Sequence, residues 1–309
     1  MSRLTLLTAS LLALSAVPAA AQGCRPALQP GEHIVPVNMG GETREMLVHV
    51  PPSRHGRDRL PLVLNLHGSG SRGAEQLKSS GLAATADAHG FVVAAPDAGI
   101  PVNDGKGFVW NIPGVPTVAG TVPGPGDADD VAFAAALIDT LVERACVDRT
   151  RVYSTGLSGG GRMSSWLGCA LSDRIAAIAP VVGLRAGRAR ADDPTQVDQT
   201  SCTPAFPMPV LGFSGGADRT NPNEGGEGMR WGYSLDSAVR RWASVNGCGP
   251  ALPRYYRAAD ITVDAHGSCD AQAEVVSIVD GDGGHNWDVA DNEAMWAFFE
   301  RHRRTDPTR

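Results

Sequence analysis

The pentapeptide Gly156-Leu157-Ser158-Gly159-Gly160 sets a serine between glycines two positions away on either side. Between a strand and a helix, such a GxSxG run makes a tight, strained bend. The serine hydroxyl then stands clear of the sheet, and the next backbone N–H points at the oxyanion formed when it attacks a carbonyl. A side chain at either outer glycine would collide with the bend. The same pattern recurs at Gly212-Phe213-Ser214-Gly215-Gly216. Context separates the two. Ser158 follows the apolar stretch 152–155 and precedes Arg162-Met163-Ser164-Ser165-Trp166-Leu167, which can continue as a helix. Ser214 also follows a strand, but Arg219-Thr220-Asn221-Pro222-Asn223 after it cannot carry a helix. Ser158 is therefore the expected nucleophile.

A serine at its free pKa needs an imidazole base held by a carboxylate. In the strand–turn–helix arrangement the chain order is serine, acid, histidine. That order leaves His266, His285 and His302. His302 sits among Arg301, Arg303 and Arg304 and reads as part of a solvated helix face; His266, beside Cys269, reads as structural. His285 lies in Gly281-Asp282-Gly283-Gly284-His285-Asn286-Trp287, just past an apolar strand at 275–279. In an open α/β sheet, ligand-facing groups gather at that edge, so His285 is the expected base. Asp218 comes a tight turn after the buried strand 210–213 and is the expected acid. Asp280 and Asp282 stand close to His285 in sequence and are the alternatives.

A second oxyanion donor should come from the loop after the first core strand, Leu66-His67-Gly68-Ser69-Gly70-Ser71, where small residues let the backbone approach the carbonyl. The N–H groups of Ser69 and Gly159 are the expected pair. Trp110, in Phe108-Val109-Trp110-Asn111, and Trp287 are the expected substrate walls. The same loop also reads as GxGxxG, Gly68 to Gly73, with Asp97 near the distance of a ribose-binding acid. A dinucleotide-binding oxidoreductase is thus a remote alternative, and a catalytically inactive binding module is another.

Elements able to position these groups follow from hydrophobic periodicity. Stretches 34–37 and 46–50 look like an opening hairpin, and 60–66 is a continuous apolar strand of the kind buried on both faces. A helical stretch, 74–89, leads to a strand at 91–95. From Asp129 the positions Ala134, Leu137, Ile138, Leu141 and Val142 repeat at helical spacing, with acids at the start to suit the dipole. A strand at 151–155, a helix at 159–171, strands at 175–182, 210–213 and 275–279, and helices at 233–245 and 292–301 complete the alternation. The pattern predicts a mostly parallel central sheet with helices on both faces. Segments 96–128 and 184–208, rich in Gly and Pro, read as long loops that shape a site or cover the surface.

Composition excludes other classes. The 309 residues are 42% hydrophobic and 19% charged, an ordinary globular balance. The net charge of −6 offers no basic surface for nucleic acid or an anionic membrane. Arg3, the apolar run 4–17 and Ala19-Ala20-Ala21 read as a secretory signal over residues 1–21, leaving one catalytic domain over 22–309. The destination would be extracellular or periplasmic. Six cysteines in an exported chain suggest three disulfides. Proximity in sequence suggests Cys248 with Cys269 and Cys146 with Cys169, leaving Cys24 with Cys202. No cysteine or histidine spacing suggests a metal site, and no metal or cofactor is expected.

Taken together, Leu66-His67-Gly68-Ser69, the run from Cys146 to Ser158, Gly215-Gly216-Ala217-Asp218 and Gly283-Gly284-His285-Asn286-Trp287 resemble the secreted polyhydroxybutyrate depolymerase and feruloyl esterase group of carbohydrate esterase family 1. The resemblance implies an α/β-hydrolase fold and an acyl-enzyme route through Ser158, Asp218 and His285 without a cofactor. It also supports pairing Cys248 with Cys269. The implied partner is an ester substrate, polymeric or small: a polyester or a plant cell-wall ester, with acetylxylan or another short-chain ester as the alternative. Two positions depart from the family pattern. Ser214-Gly215 stands where members often have a glycine-histidine signature, and Gly159 where many have a polar residue.

Overall fold

The computed structural model describes residues 24, 27–39, 41–54, 57–102 and 104–304. The expected signal segment, 1–21, lies outside them.

Strands β1 (Gly31–Asn38) and β2 (Thr43–Val50) form the antiparallel opening hairpin. Strand β3 (Leu60–Leu66) is buried at every residue, as its unbroken apolar run requires of a strand covered on both faces. Its one amide, Asn65, is satisfied on both sides: it donates to Ser80 Oγ at 2.9 Å and accepts from Gln76 Nε2 at 3.0 Å. This buried network pins β3 to helix α1 (Gly73–Ser80). The helical stretch expected over 74–89 is broken at Gly81, which sits at φ 65° and starts a second helix, α2 (Leu82–His89). Glycine takes this left-handed conformation without steric cost, so the chain turns there.

Strand β4 (Val92–Pro96) follows, then a short antiparallel pair, β5 (Ile100–Val102) and β6 (Gly107–Val109). Helix α3 (Asp130–Arg144) opens on Asp129, whose carboxylate accepts from the N–H groups of Val131 and Ala132. Next come β7 (Val147–Leu157), α4 (Gly159–Ala170), β8 (Ala177–Val181) and β9 (Val210–Gly215). The last third holds α5 (Gly228–Trp231), α6 (Leu235–Val245), β10 (Tyr255–Tyr256), β11 (Ile261–His266), β12 (Val275–Asp280) and α7 (Asn292–Arg301).

Among the described residues, ten strands form one sheet in the order β1-β2-β4-β3-β7-β8-β9-β12-β11-β10. The six central strands, β4 to β12 in that order, run parallel, and antiparallel strands flank them at both edges. Side chains alternate to two cores. Phe133, Leu141, Met163, Leu167 and Trp242 bring α3, α4 and α6 onto one face, where Leu62 and Leu64 meet them. Leu77, Leu82, Trp296 and Phe299 bring α1, α2 and α7 onto the other, with Val63 and Tyr153. This is the expected α/β architecture, a mostly parallel sheet covered on both sides. The small β5–β6 pair and the antiparallel β10 and β11 were not expected.

All six cysteines are paired, a state that belongs to an oxidising compartment. Cys248 bonds Cys269, as expected from proximity and from the resemblance. The other two pairs differ from the expectation: Cys24 bonds Cys146, and Cys169 bonds Cys202. The physical reason is local: each of the two cysteines that flank the β7–α4 unit has another segment of the chain packed beside it. Cys146 instead meets the incoming chain, where Ala27 and Leu28 both donate N–H to the Arg144 carbonyl. Beyond Cys169, the segment carrying Cys202 folds back, and the amide of Ala205 donates to Ser172 Oγ at 2.8 Å.

Candidate active site

The C-terminal ends of β3, β7, β9 and β12 converge on one edge of the sheet. Ser158 occupies the bend between β7 and α4 at φ 56°, a region that costs any residue but glycine. Close packing holds it there. The Ser158 N–H donates to the Val181 carbonyl at 2.9 Å. A Cβ added to Gly156 would lie 2.5 Å from the Leu66 carbonyl oxygen, and one added to Gly160 only 2.1 Å from it. The two flanking glycines are thus required by the neighbouring strand β3 as well as by the turn. Ser214, in the matching pentapeptide, is an ordinary buried residue of β9 paired with Val279, with no helix after it.

His285 reaches Ser158 from the loop after β12, its Nε2 2.7 Å from the serine Oγ. Its Nδ1 lies 2.7 Å from Asp218 Oδ2. The other carboxylate oxygen of Asp218 accepts the N–H groups of Thr220 (2.8 Å) and Asn221 (2.9 Å). In the tautomer whose Nδ1 donates to Asp218, Nε2 presents its lone pair to the serine hydroxyl. The Asp218 side chain is 1% exposed and that of His285 is 22% exposed, so the relay is buried at the acid and open at the serine.

Glycines bring the acid and histidine loops together. Gly216 N–H donates to the Asp280 carbonyl, and Ala217 N–H to that of Gly283 at 2.9 Å. A Cβ on Gly215 would lie 2.3 Å from the Gly283 oxygen, and one on Gly216 2.4 Å from that of Gly281. Asp280, an alternative acid, is occupied within its own loop, accepting from the N–H of Gly283 at 3.1 Å. Asp282 is exposed.

Ser69 and Gly159 lie side by side: a Cβ on Gly159 would fall 2.3 Å from Ser69 Oγ and 3.2 Å from Ser69 N. Among the described residues neither amide has a protein acceptor. Gly159 is the first residue of α4, where the N–H is free and the helix dipole is positive. The loop carrying Ser69 is held by His67, which sequence reasoning passed over. His67 Nε2 accepts the Ala98 N–H at 3.0 Å, which leaves Nδ1 to donate to the Gly68 carbonyl at 2.8 Å. Burial lowers its pKa, favouring the neutral form that this arrangement requires. The signal was present in the sequence as a histidine directly after a wholly apolar strand.

Trp110 and Trp287 differ from the expectation of substrate walls. Trp110 is 6% exposed, its ring 4.9 Å from that of His67 and its Nε1 donating to the His67 carbonyl at 2.8 Å. It braces the Ser69 loop from inside the core. Trp287 is 7% exposed, packs in the α1–α2–α7 core and donates to Asn292 Oδ1. Large indoles with one polar handle are well suited to such buried bracing. His302 also differs. It is 9% exposed, not solvated, with Nε2 3.0 Å from Glu274 and its ring against Phe298.

The residues of the competing GxGxxG reading serve the fold. Asp97 Oδ1 accepts the Gly73 N–H at 2.7 Å, and its Oδ2 pairs with Arg72 at 3.0 Å. The N-terminus of α1, where a pyrophosphate would sit, is thus capped by the chain's own acid. A Cβ at Gly73 would strike the Ala95 carbonyl, so this glycine serves helix–strand packing.

Residues 46–197 match the family described as esterase PHB depolymerase. Feruloyl esterase B of Piromyces equi is 32% identical over 213 residues, 66% of this chain and 36% of that protein. Poly(3-hydroxyalkanoate) depolymerase C of Paucimonas lemoignei is 30% identical over 219 residues, 71% of this chain and 44% of that protein. The chain thus spans less than half the length of either relative. Among solved structures, an S-formylglutathione hydrolase from Agrobacterium tumefaciens superposes with a TM-score of 0.58 at 14% identity, over 87% of this chain and 95% of that one. That likeness concerns the fold.

Proposed function

The chain belongs to the esterase PHB depolymerase family, and on that premise we propose that it is an exported serine esterase hydrolysing carboxylic esters through an acyl-enzyme. The observation that carries this reading is the relay from Asp218 through His285 to Ser158, with 2.7 Å at each step. Ser158 Oγ attacks the ester carbonyl as His285 Nε2 takes its proton. Asp218 fixes the imidazole tautomer and stabilises the cation that forms. The N–H groups of Ser69 and Gly159 receive the oxyanion, and loss of one such donor costs about 3–4 kcal/mol of transition-state stabilisation. The alkoxide leaves with the proton from His285. Water, deprotonated by the same imidazole, then releases the acid and restores Ser158.

The substrate class we assign is a polyester or a plant cell-wall ester, in keeping with the relatives' names; a short-chain acetyl ester is the second reading. Residues 22–309 form the catalytic unit after removal of a signal over 1–21. The three disulfides support the exported location. The test is parallel incubation with methyl ferulate, a 4-nitrophenyl short-chain ester and a polyhydroxybutyrate film. Release of ferulate or of hydroxybutyrate, abolished in Ser158→Ala, is the expected result. Turnover of the 4-nitrophenyl ester alone would favour the short-chain reading, and no turnover at all would overturn the esterase assignment.

A further inference from the structure

Three arginines gather beside the proposed oxyanion site without an acid among them. Arg162, in the first turns of α4, and Arg185, after β8, are both wholly buried, and Arg230 lies half-buried in α5. Their guanidinium carbons lie 5.2, 4.8 and 5.5 Å from the centre of the Trp231 ring. Among the described residues, none of the three has a carboxylate within ion-pair distance. Glu224 and Glu227, exposed on the same loop, pair with none of them. Asp218 faces Arg185, but its oxygens are already taken by His285, Thr220 and Asn221.

The two buried arginines have protein duties. Arg185 donates to the Leu184 carbonyl and to Asn221 Oδ1, supporting the turn that cradles Asp218. Arg162 donates to the Met229 carbonyl, and its Nη1 is buried with no partner. Desolvation and mutual repulsion push Arg162 down to about 9. Arg230 is different. One nitrogen, Nη2, donates to Ser69 Oγ at 2.9 Å, and its other N–H groups have no protein acceptor among the described residues. Ser69 supplies one of the proposed oxyanion amides, so this half-open guanidinium stands one hydrogen bond from the place where a scissile carbonyl would bind. A concentration of uncompensated positive charge in a chain of net charge −6 calls for an anion from outside.

We propose that Arg230 receives a carboxylate carried by the substrate, so that this site favours esters bearing a free acid close to the bond that is cut. Hydroxyacid oligomers with a free end and half-esters of dicarboxylic acids have this chemistry. Arg162 and Arg185 supply the field behind it, and the planar fork of Arg230 supplies the geometry. The inference rests on the serine esterase reading and narrows its substrate.

The test uses two matched pairs of esters on the full chain. The first is 4-nitrophenyl hydrogen glutarate against 4-nitrophenyl methyl glutarate, which places the acid on the acyl half. The second is 3-carboxyphenyl butyrate against its methyl carboxylate ester, which places it on the alcohol half. The ratio of kcat/KM within each pair, compared between wild type and Arg230→Gln, cancels intrinsic reactivity. Wild type should exceed the variant in this ratio by about tenfold or more in at least one pair, the scale of a charge-assisted hydrogen bond, with Arg230→Lys between them. Equal ratios in both pairs would overturn the proposal alone. No turnover of any of the four esters by wild type would overturn the esterase reading and this one with it. Should Arg230→Gln fail to fold, glutarate should inhibit wild-type turnover of 4-nitrophenyl butyrate at least about tenfold more tightly than glutaramide; equal inhibition would overturn the proposal.

Discussion

Gly160 packs against Leu66 so closely that a methyl group on its Cα would sit 2.1 Å from the Leu66 carbonyl oxygen. The bend at Ser158 is therefore built by two strands as much as by its own turn. Gly160→Ala should force the start of α4 away from β3, with a loss of about 1–3 kcal/mol of stability, the cost of an overpacked core. The same shift should misdirect Ser158. Thermal melting and ester turnover measured on one preparation should both fall, and turnover by more. A variant with wild-type melting and full activity would contradict the packing argument.

The Trp110 indole braces the Ser69 loop through its bond to the His67 carbonyl. Trp110→Phe keeps an aromatic ring and removes this bond, leaving a buried carbonyl without its donor at a cost of about 1–3 kcal/mol. If the bond serves the oxyanion loop, kcat should drop for every ester tested, whatever the acyl group. A change confined to KM for bulky acyl groups would instead identify Trp110 as a substrate wall.

Stability should depend on pH through His67. Burial lowers its pKa in the folded chain, whereas in the unfolded chain it returns to the ordinary value of 6.5. Below that value the unfolded state takes up a proton that the folded state resists. The His67 contribution is therefore complete above pH 6.5 and declines as pH falls from there toward the lowered folded value. Melting temperature should fall as pH is lowered through 6.5, and His67→Gln, which cannot gain the proton, should flatten that slope. An unchanged slope in the variant would remove His67 from the account.

Disulfide connectivity offers a chemical check on the crossover. Digestion without reductant should release a peptide linking Cys24 to Cys146 and another linking Cys169 to Cys202. A peptide joining Cys146 to Cys169 would contradict the fold at the β7–α4 unit. The paired variant Cys24→Ala with Cys146→Ala opens a loop spanning 122 residues and should lose about 2–5 kcal/mol.

The sequence pattern made the central sheet and the residues of the relay legible, because each lies in a short segment with one physical demand. Ser158 needs small neighbours and a following helix; Asp218 and His285 need Gly-rich loops past buried strands. The disulfides were harder to read, since Cys24 and Cys146 come together through the whole sheet and separation along the chain says nothing of that path. Trp110 and His302 were misread for a related reason. Trp110 lies in a Gly- and Pro-rich stretch and His302 among arginines, but His67 and Glu274, which meet them, come from elsewhere in the chain. Arg230 was invisible for the same cause: nothing near it in sequence points to Ser69, the residue whose hydroxyl it holds.

The most direct measurement is covalent labelling with a fluorophosphonate, followed by mass spectrometric mapping of the adduct. Stoichiometric modification of Ser158 is expected, with loss of ester turnover in step with labelling and no adduct in His285→Ala at the same exposure. Labelling at Ser214 or at another residue, or full turnover after complete modification of Ser158, would contradict the proposed role of Ser158.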